Sequence, residues 1–204
     1  MTTLDFWFDP GCPFTWNTSR WAIEAAPQRG VEIRWQPFSL KVKNGDGVPA
    51  QFVERLNVGH SALRIVVAID ELDGNAAVGR FYTAYGRRLF HDEQDPTRDM
   101  VVSALADAGL NPSYIDAFDD EDRDAAIKQS MKVALDMVGE DVGVPILSFD
   151  REPRLGFFGP VVSPPPTGED AVKLWDAYEV LVTMPEVFEI KRARNGPVLL
   201  GARP

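Results

Sequence analysis

Cysteine is nearly absent from this sequence: Cys12 is the only one among 204 residues, and there are only two histidines. A single cysteine excludes any disulfide within the chain, and with it the disulfide-stapled folds of small secreted proteins. Two histidines and one cysteine, far apart in the chain, form no recognisable metal site. We therefore predict no metal, and Cys12 is the only thiol that the chain itself can supply.

Basic residues are also few, since 21 lysines and arginines face 31 aspartates and glutamates, for a formal net charge of −10. Without a basic stripe, this charge excludes a nucleic-acid partner and disfavours an anionic membrane surface. No stretch approaches the ~18 apolar residues of a spanning helix. The first residues also lack the basic and apolar regions of a signal peptide. We expect a cytoplasmic protein with no membrane partner.

The start of the chain has the order strand, helix, strand. The apolar run from Leu4 to Phe8 predicts a buried strand, and Asp9-Pro10-Gly11 predicts a turn. Cys12-Pro13 opens a helix through about Ala26, because proline is favoured at the first helical position. Alternating apolar residues predict a second strand over Val31 to Leu40. This order predicts a βαβ unit with a right-handed crossover.

The middle of the chain is helical in pattern, and strand signals return near the end. A polar loop is expected from Lys41 to Val48. The later elements are predicted as helices over Ser61 to Leu72, Val78 to Phe90, Pro96 to Ala108 and Glu121 to Val138, strands over Ile146 to Phe149 and Leu155 to Phe158, and a helix from Thr167 to about Thr183, opened by a capping box at Thr167 to Asp170.

These elements predict an α/β, thioredoxin-like fold with a helical insertion between its βαβ and ββα halves. Residues 1–48 and 139–204 would form the thioredoxin-like domain, and residues 49–138 the helical insertion domain. In the first helix, Trp16, Ile23 and Ala26 are expected to be buried.

Cys12 is the candidate catalytic residue. A lone cysteine is usually a small buried hydrophobe, but this one lies between a Pro-Gly turn and Pro13, at the expected N-cap of the first helix. Unpaired N–H groups and the helix dipole would favour its thiolate there. Thr15, three residues on, lies on the same helix face and could donate a hydrogen bond to the sulfur, although capping the first turn is an equally good role for it.

Val144 and Pro145 are the second candidate part of the site, just before a predicted strand. In a thioredoxin core this proline is cis and lies against the active sulfur, so that the preceding backbone can bind an extended substrate. A trans proline at a strand start remains the alternative.

Four separated motifs carry a family resemblance over nearly the whole chain, from about Leu4 to Arg194. FWFDPGCPFTWNTSRW, VGEDVGVP, FFGPVVSPPPTGEDAVKLWDA and FEIKRAR resemble the actinobacterial DsbA-family proteins of the mycothiol-dependent nitroreductase-like group. The architecture is more distantly similar to 2-hydroxychromene-2-carboxylate isomerases and kappa-class glutathione transferases. The resemblance implies a thiol oxidoreductase that uses mycothiol, with Cys12 as nucleophile and Pro145 as the cis-proline. Phe14 stands where the family usually has tryptophan.

The chain departs from the family at Thr15, because the commoner pattern, CPWC, has a second cysteine there. Chemistry through an internal disulfide is therefore not open to it. We expect monothiol exchange with a disulfide or electrophile, resolved by mycothiol or glutathione as the cosubstrate. The residues expected to line the thiol and substrate site are Pro13, Phe14, Trp16, Asn44, His91, Val144 and Pro145.

Two other functions remain open at this level. One is a kappa-like transferase or an isomerase, which activates a bound thiol without a covalent adduct. The other is a thioredoxin-fold binding protein that lost its chemistry together with the second cysteine. Several of the expected site residues also have plainer readings: Trp16 as core, His91 as a surface helix end and Asn44 as a turn residue. The apolar insertion helices could form a homodimer face.

Overall fold

The computed structural model describes residues 2–194 and 196–204. Strand β1 (Thr2–Phe8), helix α1 (Pro13–Ala25) and strand β2 (Val31–Pro37) begin the chain. β1 and β2 are parallel, with Leu4 opposite Ile33. The predicted strand–helix–strand order is confirmed.

The loop predicted from Lys41 to Val48 is largely helical. Helix α2 (Leu40–Asn44) is followed by a 3₁₀ turn at Gly45–Gly47. Ser39 begins α2 because its hydroxyl accepts a hydrogen bond from the Val42 amide at 3.2 Å. A serine cap of this kind stabilises a helix start that lacks apolar periodicity.

Helix α3 (Ala50–Asp73) begins well before the predicted start at Ser61. Its first turns are exposed, and its buried side chains begin only at Leu56. An exposed turn has no apolar stripe, so periodicity could not reveal it.

The remaining helices of the middle block agree more closely with the predictions. Helix α4 (Asn75–Gly86) continues into a π-helical turn at Arg87–His91, where one continuous helix to Phe90 was predicted. The other two are α5 (Arg98–Asp107) and α6 (Asp124–Val138), with short 3₁₀ segments at Pro112–Asp119 and Glu121–Arg123.

Strands β3 (Ile146–Phe149) and β4 (Gly156–Phe158) and helix α7 (Gly168–Val182) complete the fold. Within the described ranges the sheet has the order β2-β1-β3-β4, and β3 is antiparallel to both neighbours. The capping box predicted at Thr167 is not formed: its side chain makes no cap hydrogen bond, and the Gly168 amide donates to the Glu24 carboxylate instead.

Aromatic side chains fill both faces of the sheet. On one face, Trp21 of α1 lies 5.5 Å from Trp175 of α7, and its indole donates to the Ala171 carbonyl. On the other face, the ring centre of Phe8 lies 4.3 Å from that of Tyr82 in α4. One continuous apolar core therefore joins the sheet to the helical block. The division into two domains stays a prediction.

One core prediction for α1 is wrong. Ile23 is 38% exposed, whereas Trp16 and Ala26 are buried as expected. Helix α1 turns Trp21, Ala22 and Ala25 toward its neighbours, which leaves Ile23 at the solvent edge. Among the described helices, none combines the length and apolar character needed to cross a membrane.

Candidate active site

A tight turn places Cys12 at the N-cap of α1. The Cys12 amide donates to the Asp9 carbonyl at 3.0 Å, and the Gly11 amide donates to Asp9 Oδ1 at 2.8 Å. Pro13 occupies the first helical turn, and the Trp16 amide donates to the Cys12 carbonyl at 3.0 Å. The thiol is thus fixed between the end of β1 and the start of α1.

The structure brings Cys12 and the Val144–Pro145 segment together. The thiol lies 4.0 Å from the Val144 carbonyl oxygen, within the range of a weak hydrogen bond to sulfur. The Val144–Pro145 peptide bond is cis. The Gly159 amide, just after β4, donates a hydrogen bond to the Pro145 carbonyl at 2.8 Å. This bond links the Val144–Pro145 segment to the end of β4.

The charge state of the thiol differs from the sequence expectation. Only 8% of Cys12 is exposed. Burial raises the pKa of the Cys12 thiol, and the nearby charge of Asp9 raises it further. The Thr15 hydroxyl and the Thr15 and Phe14 amides oppose this shift but do not reverse it. This direction is opposite to the lowered pKa expected from the helix N-terminus, because burial disfavours the charged sulfur.

Asp9 is a candidate functional residue that the sequence analysis missed. It is fully buried, and its second oxygen accepts from the Leu40 amide at 2.7 Å. Burial raises its pKa to about 7, although the two amides lower it. Asp9 can therefore change charge near neutral pH beside the thiol. The signal in the sequence was an aspartate before Pro-Gly, but that pattern usually marks an exposed turn.

Thr15 lies against the thiol with its hydroxyl buried. Among the described residues, Thr15 Oγ1 has no hydrogen-bond partner. A buried hydroxyl without a partner costs about 1–3 kcal/mol, and a thiolate at Cys12 would supply an acceptor. This arrangement suits a group that is needed only when the sulfur is charged.

Trp16 and His91 are in direct contact, where α1 packs on the π-helical turn that follows α4. Trp16 is fully buried, and its indole donates to His91 Nε2 at 3.2 Å. The guanidinium of Arg20 lies over the indole of Trp16, with its carbon 3.9 Å from the ring centre. Trp16 is therefore a core residue, and His91 ends the π-helical turn that packs on it.

Phe14 and Asn44 lie in more open positions. Phe14 is half-buried, and the guanidinium of Arg194 stacks over its ring at 5.0 Å. Asn44 is exposed at the end of α2 and makes no hydrogen bond to the Cys12 site within the described residues. Among residues 2–194 and 196–204, no group of three or more His, Cys, Asp or Glu residues is arranged to hold a metal ion.

The arrangement offers one nucleophile and no internal partner for it. Cys12 can attack an electrophilic sulfur or carbon, but no second thiol of this chain can release the adduct. The Val144 carbonyl contacts this sulfur, and the Thr15 hydroxyl and the Asp9 carboxyl influence its pKa.

Comparison with known proteins identifies relatives in sequence and in fold. The family model described as Rv2466c-like, mycothiol-dependent nitroreductase Rv2466c, matches residues 11–192. Rv2286c, an uncharacterised protein of Mycobacterium tuberculosis, is 32% identical over 199 residues, which cover 96% of this chain and 84% of that protein.

Two solved structures illustrate the likeness in fold. The cytosolic disulfide reductase DsbM of Pseudomonas aeruginosa superposes with a TM-score of 0.60 at 16% identity, over 88% of this chain and 99% of that one. The oxidoreductase DsbA of Xylella fastidiosa gives 0.51 at 18% identity, over 87% and 83%. The predicted thioredoxin-like fold of the DsbA type is confirmed. By the family match, the chain belongs to the Rv2466c-like family of mycothiol-dependent nitroreductases.

Proposed function

We propose that this protein is a monothiol oxidoreductase. Cys12 would exchange with a disulfide or attack an activated electrophile, and a low-molecular-weight thiol such as mycothiol or glutathione would supply the electrons. The family match supports thiol-dependent chemistry in general. The proposal adds that one sulfur of this chain performs it.

The main support for this proposal is the position of the Cys12 thiol. It lies 4.0 Å from the carbonyl oxygen of Val144, and the bond between Val144 and Pro145 is cis. The chain has no other cysteine. In the proposed reaction the Cys12 thiolate attacks one sulfur of a disulfide. That S–S bond breaks, a mixed disulfide forms on Cys12, and the other half leaves as a thiolate that takes up a proton. The thiolate of a small thiol then attacks the substrate sulfur of the mixed disulfide. That S–S bond breaks, Cys12 leaves as its thiolate, and the substrate half departs in a disulfide with the small thiol.

The roles of the surrounding residues follow from this scheme. Val144 would offer its backbone to the substrate beside the reacting sulfur, and Pro145 would hold that backbone in place. Pro13 and Phe14 would form the wall at the helix start. The Thr15 hydroxyl would donate to the thiolate, because it has no other partner among the described residues.

Two properties of the structural neighbour DsbM support the proposed compartment and cosubstrate. That protein is described as cytosolic, and a structure of it with GSH superposes on this chain with a TM-score of 0.59 at 17% identity, over 88% of this chain and 100% of that one. We propose a cytoplasmic protein that takes a small thiol at the equivalent place.

The direct test is Cys12→Ser, with Thr15→Ser as a control that keeps a hydroxyl at position 15. Thiol-dependent reduction of a small disulfide and the intact mass of the protein during turnover are measured together. We expect Cys12→Ser to abolish turnover and the adduct, and Thr15→Ser to retain both. Unchanged reduction in Cys12→Ser would refute the proposal.

The raised pKa of Cys12 favours a second candidate, a binding protein without chemistry. Such a protein would bind the thiol by equilibrium dialysis but would neither turn over nor form an adduct. Turnover without any adduct on Cys12 would instead indicate a transferase or isomerase that activates the bound thiol.

A further inference from the structure

Two arginines that form no ion pair among the described residues contact the start of α1 or the residue just before Cys12. We propose that Arg55 and Arg194 bind a carboxylate of the molecule that Cys12 attacks. This inference rests on the proposed function and names the class of its substrate: an anionic disulfide or electrophile.

Arg55 of α3 lies directly over the residue before the thiol. A Cβ atom at Gly11 would lie 3.1 Å from the Arg55 carbonyl oxygen and 3.2 Å from Arg55 Cγ. The absence of a side chain at Gly11 therefore leaves the space that Arg55 occupies. The Arg55 guanidinium then extends toward Phe90, with its carbon 6.0 Å from the ring centre.

Arg194, in the segment after α7, lies against the first turn of α1. Its guanidinium carbon lies 5.0 Å from the ring centre of Phe14, two residues after Cys12. A guanidinium that stacks on an aromatic face keeps its N–H groups free at the edge. Arg194 is exposed, so an anion can reach those groups.

Arg55 and Arg194 also differ from most arginines of this acidic chain in forming no ion pair among the described residues. Most arginines are paired, for example Arg29 with Asp176 at 2.7 Å and Arg203 with Asp92 at 2.8 Å. Arg55 and Arg194 form no ion pair in the described ranges, although acidic residues outnumber basic ones by 31 to 21. Arg55 contacts Gly11 and Arg194 contacts Phe14, on the two sides of Cys12 in the sequence. Two guanidinium groups on this part of the chain match a carboxylate, which accepts several charge-assisted hydrogen bonds.

The test compares two disulfide probes that differ in charge. Dithiobis(nitrobenzoate) carries a carboxylate on each half, and dithiodipyridine is neutral. In both reactions the Cys12 thiolate attacks a probe sulfur, the probe S–S bond breaks, a mixed disulfide forms and an aromatic thiolate leaves. The disulfide is the oxidant, so nothing else is needed. Release of the aromatic thiolate gives the second-order rate constant for each probe.

The variant is Arg55→Gln/Arg194→Gln, and the matched control is Lys191→Gln/Arg192→Gln, which removes the same charge from an adjacent exposed segment. At low salt we expect the ratio of anionic to neutral rate constants to fall ~3- to 10-fold in the first variant, because two nearby charges are lost. The ratio should stay at the wild-type value in the control. The neutral-probe rate should fall less than the anionic-probe rate in the first variant, because loss of positive charge affects that probe only through the ionisation of Cys12, and it should stay at the wild-type value in the control. Circular dichroism shows that both proteins are folded.

Several outcomes would overturn the inference. An unchanged ratio in Arg55→Gln/Arg194→Gln would do so, and so would an equal fall in the control, which would indicate a general field effect. If Arg55→Gln prevents folding, Arg194→Gln alone decides, with a smaller fall expected. A wild-type Cys12 that reacts with neither probe would instead refute the proposed function, and this inference with it.

Discussion

The Sγ atom of Cys12 lies 4.0 Å from the carbonyl oxygen of Val144, across the cis bond to Pro145. A carbonyl oxygen can accept a hydrogen bond from a thiol, whereas it repels a thiolate. The contact therefore favours the protonated sulfur that burial already favours. Under the proposed function, a bound substrate would have to compensate for this contact when the thiolate forms.

The first prediction concerns the ionisation of Cys12. Burial raises its pKa, so the midpoint of its alkylation rate against pH is expected above the ordinary ~8.5 of free cysteine. The rate with iodoacetamide, measured from pH 6 to 11 in roughly half-unit steps, gives that midpoint. The same midpoint in urea-unfolded protein serves as the reference, and a folded midpoint below it would contradict the burial argument.

The second prediction concerns Asp9, whose pKa is raised to about 7. Its deprotonation places a negative charge near Cys12 and raises the pKa of that thiol. Because the two groups interact, the wild-type alkylation profile should show two inflections that belong to the pair. Asp9→Asn should remove the lower one and move the upper one to lower pH. Asp46→Asn, at an exposed position, should leave the profile unchanged.

Asp9 should also make stability depend on pH. Because its folded pKa of about 7 lies above the ordinary 3.8, the stabilising effect of the protonated group is complete at low pH and is lost as pH rises toward 7. The loss is of order 4 kcal/mol by linkage. Urea unfolding at several pH values should show this slope in the wild type, and Asp9→Asn should reduce it. An equal slope in both proteins would contradict the assignment.

The sequence predicted the parts of the site that depend on neighbouring residues. Pro13 after Cys12 indicated a helix start, and the structure places the thiol at that N-cap. The sequence indicated a lowered pKa for the thiol, whereas burial raises it. The helix dipole is a local effect that a sequence pattern can reveal, but burial depends on the whole fold. Asp9 was missed for the same reason: the Leu40 amide that binds it comes from another element.

The fold was predictable where apolar periodicity was strong and less so elsewhere. Strands β1 and β3 fall where the sequence placed them. Helix α3 begins earlier than the sequence predicted, because its first turns are exposed and carry no stripe of apolar residues. The approach of Arg55 to Gly11 and of Arg194 to Phe14 depends on packing between distant segments, which no local pattern encodes.

The third prediction separates reactivity from stability at Thr15. Its hydroxyl is buried without a partner in the described structure, and it lowers the pKa of Cys12. Thr15→Val should therefore raise the pKa of the thiol and slow alkylation at pH ~7, while the free energy of unfolding stays equal or rises by up to ~1 kcal/mol. Thr15→Ser, which keeps the hydroxyl, should retain the wild-type rate. A large loss of stability in Thr15→Val would show that the hydroxyl is structural.

The last prediction concerns the packing of α1 on α4. A Cβ atom at Gly86 would overlap the indole of Trp16, with Cη2 only 2.8 Å away. The Trp16 side chain has little room to move, because it is fully buried and hydrogen-bonded to His91. The guanidinium carbon of Arg20 also lies 3.9 Å from its ring centre. Gly86→Ala should destabilise the protein by ~1–3 kcal/mol, even though alanine is the better helix former by ~1 kcal/mol.

The matched control for Gly86→Ala is Gly47→Ala, where an added Cβ meets nothing within 4 Å. Its free energy of unfolding should stay within about ±0.5 kcal/mol of the wild type, as for most surface changes. Urea denaturation followed by circular dichroism measures both variants. Because Trp16 lies one turn after Cys12, a shifted indole should also disturb the helix start and change the alkylation rate of Cys12. Wild-type stability in Gly86→Ala would mean that α1 and α4 pack less tightly than the structure shows.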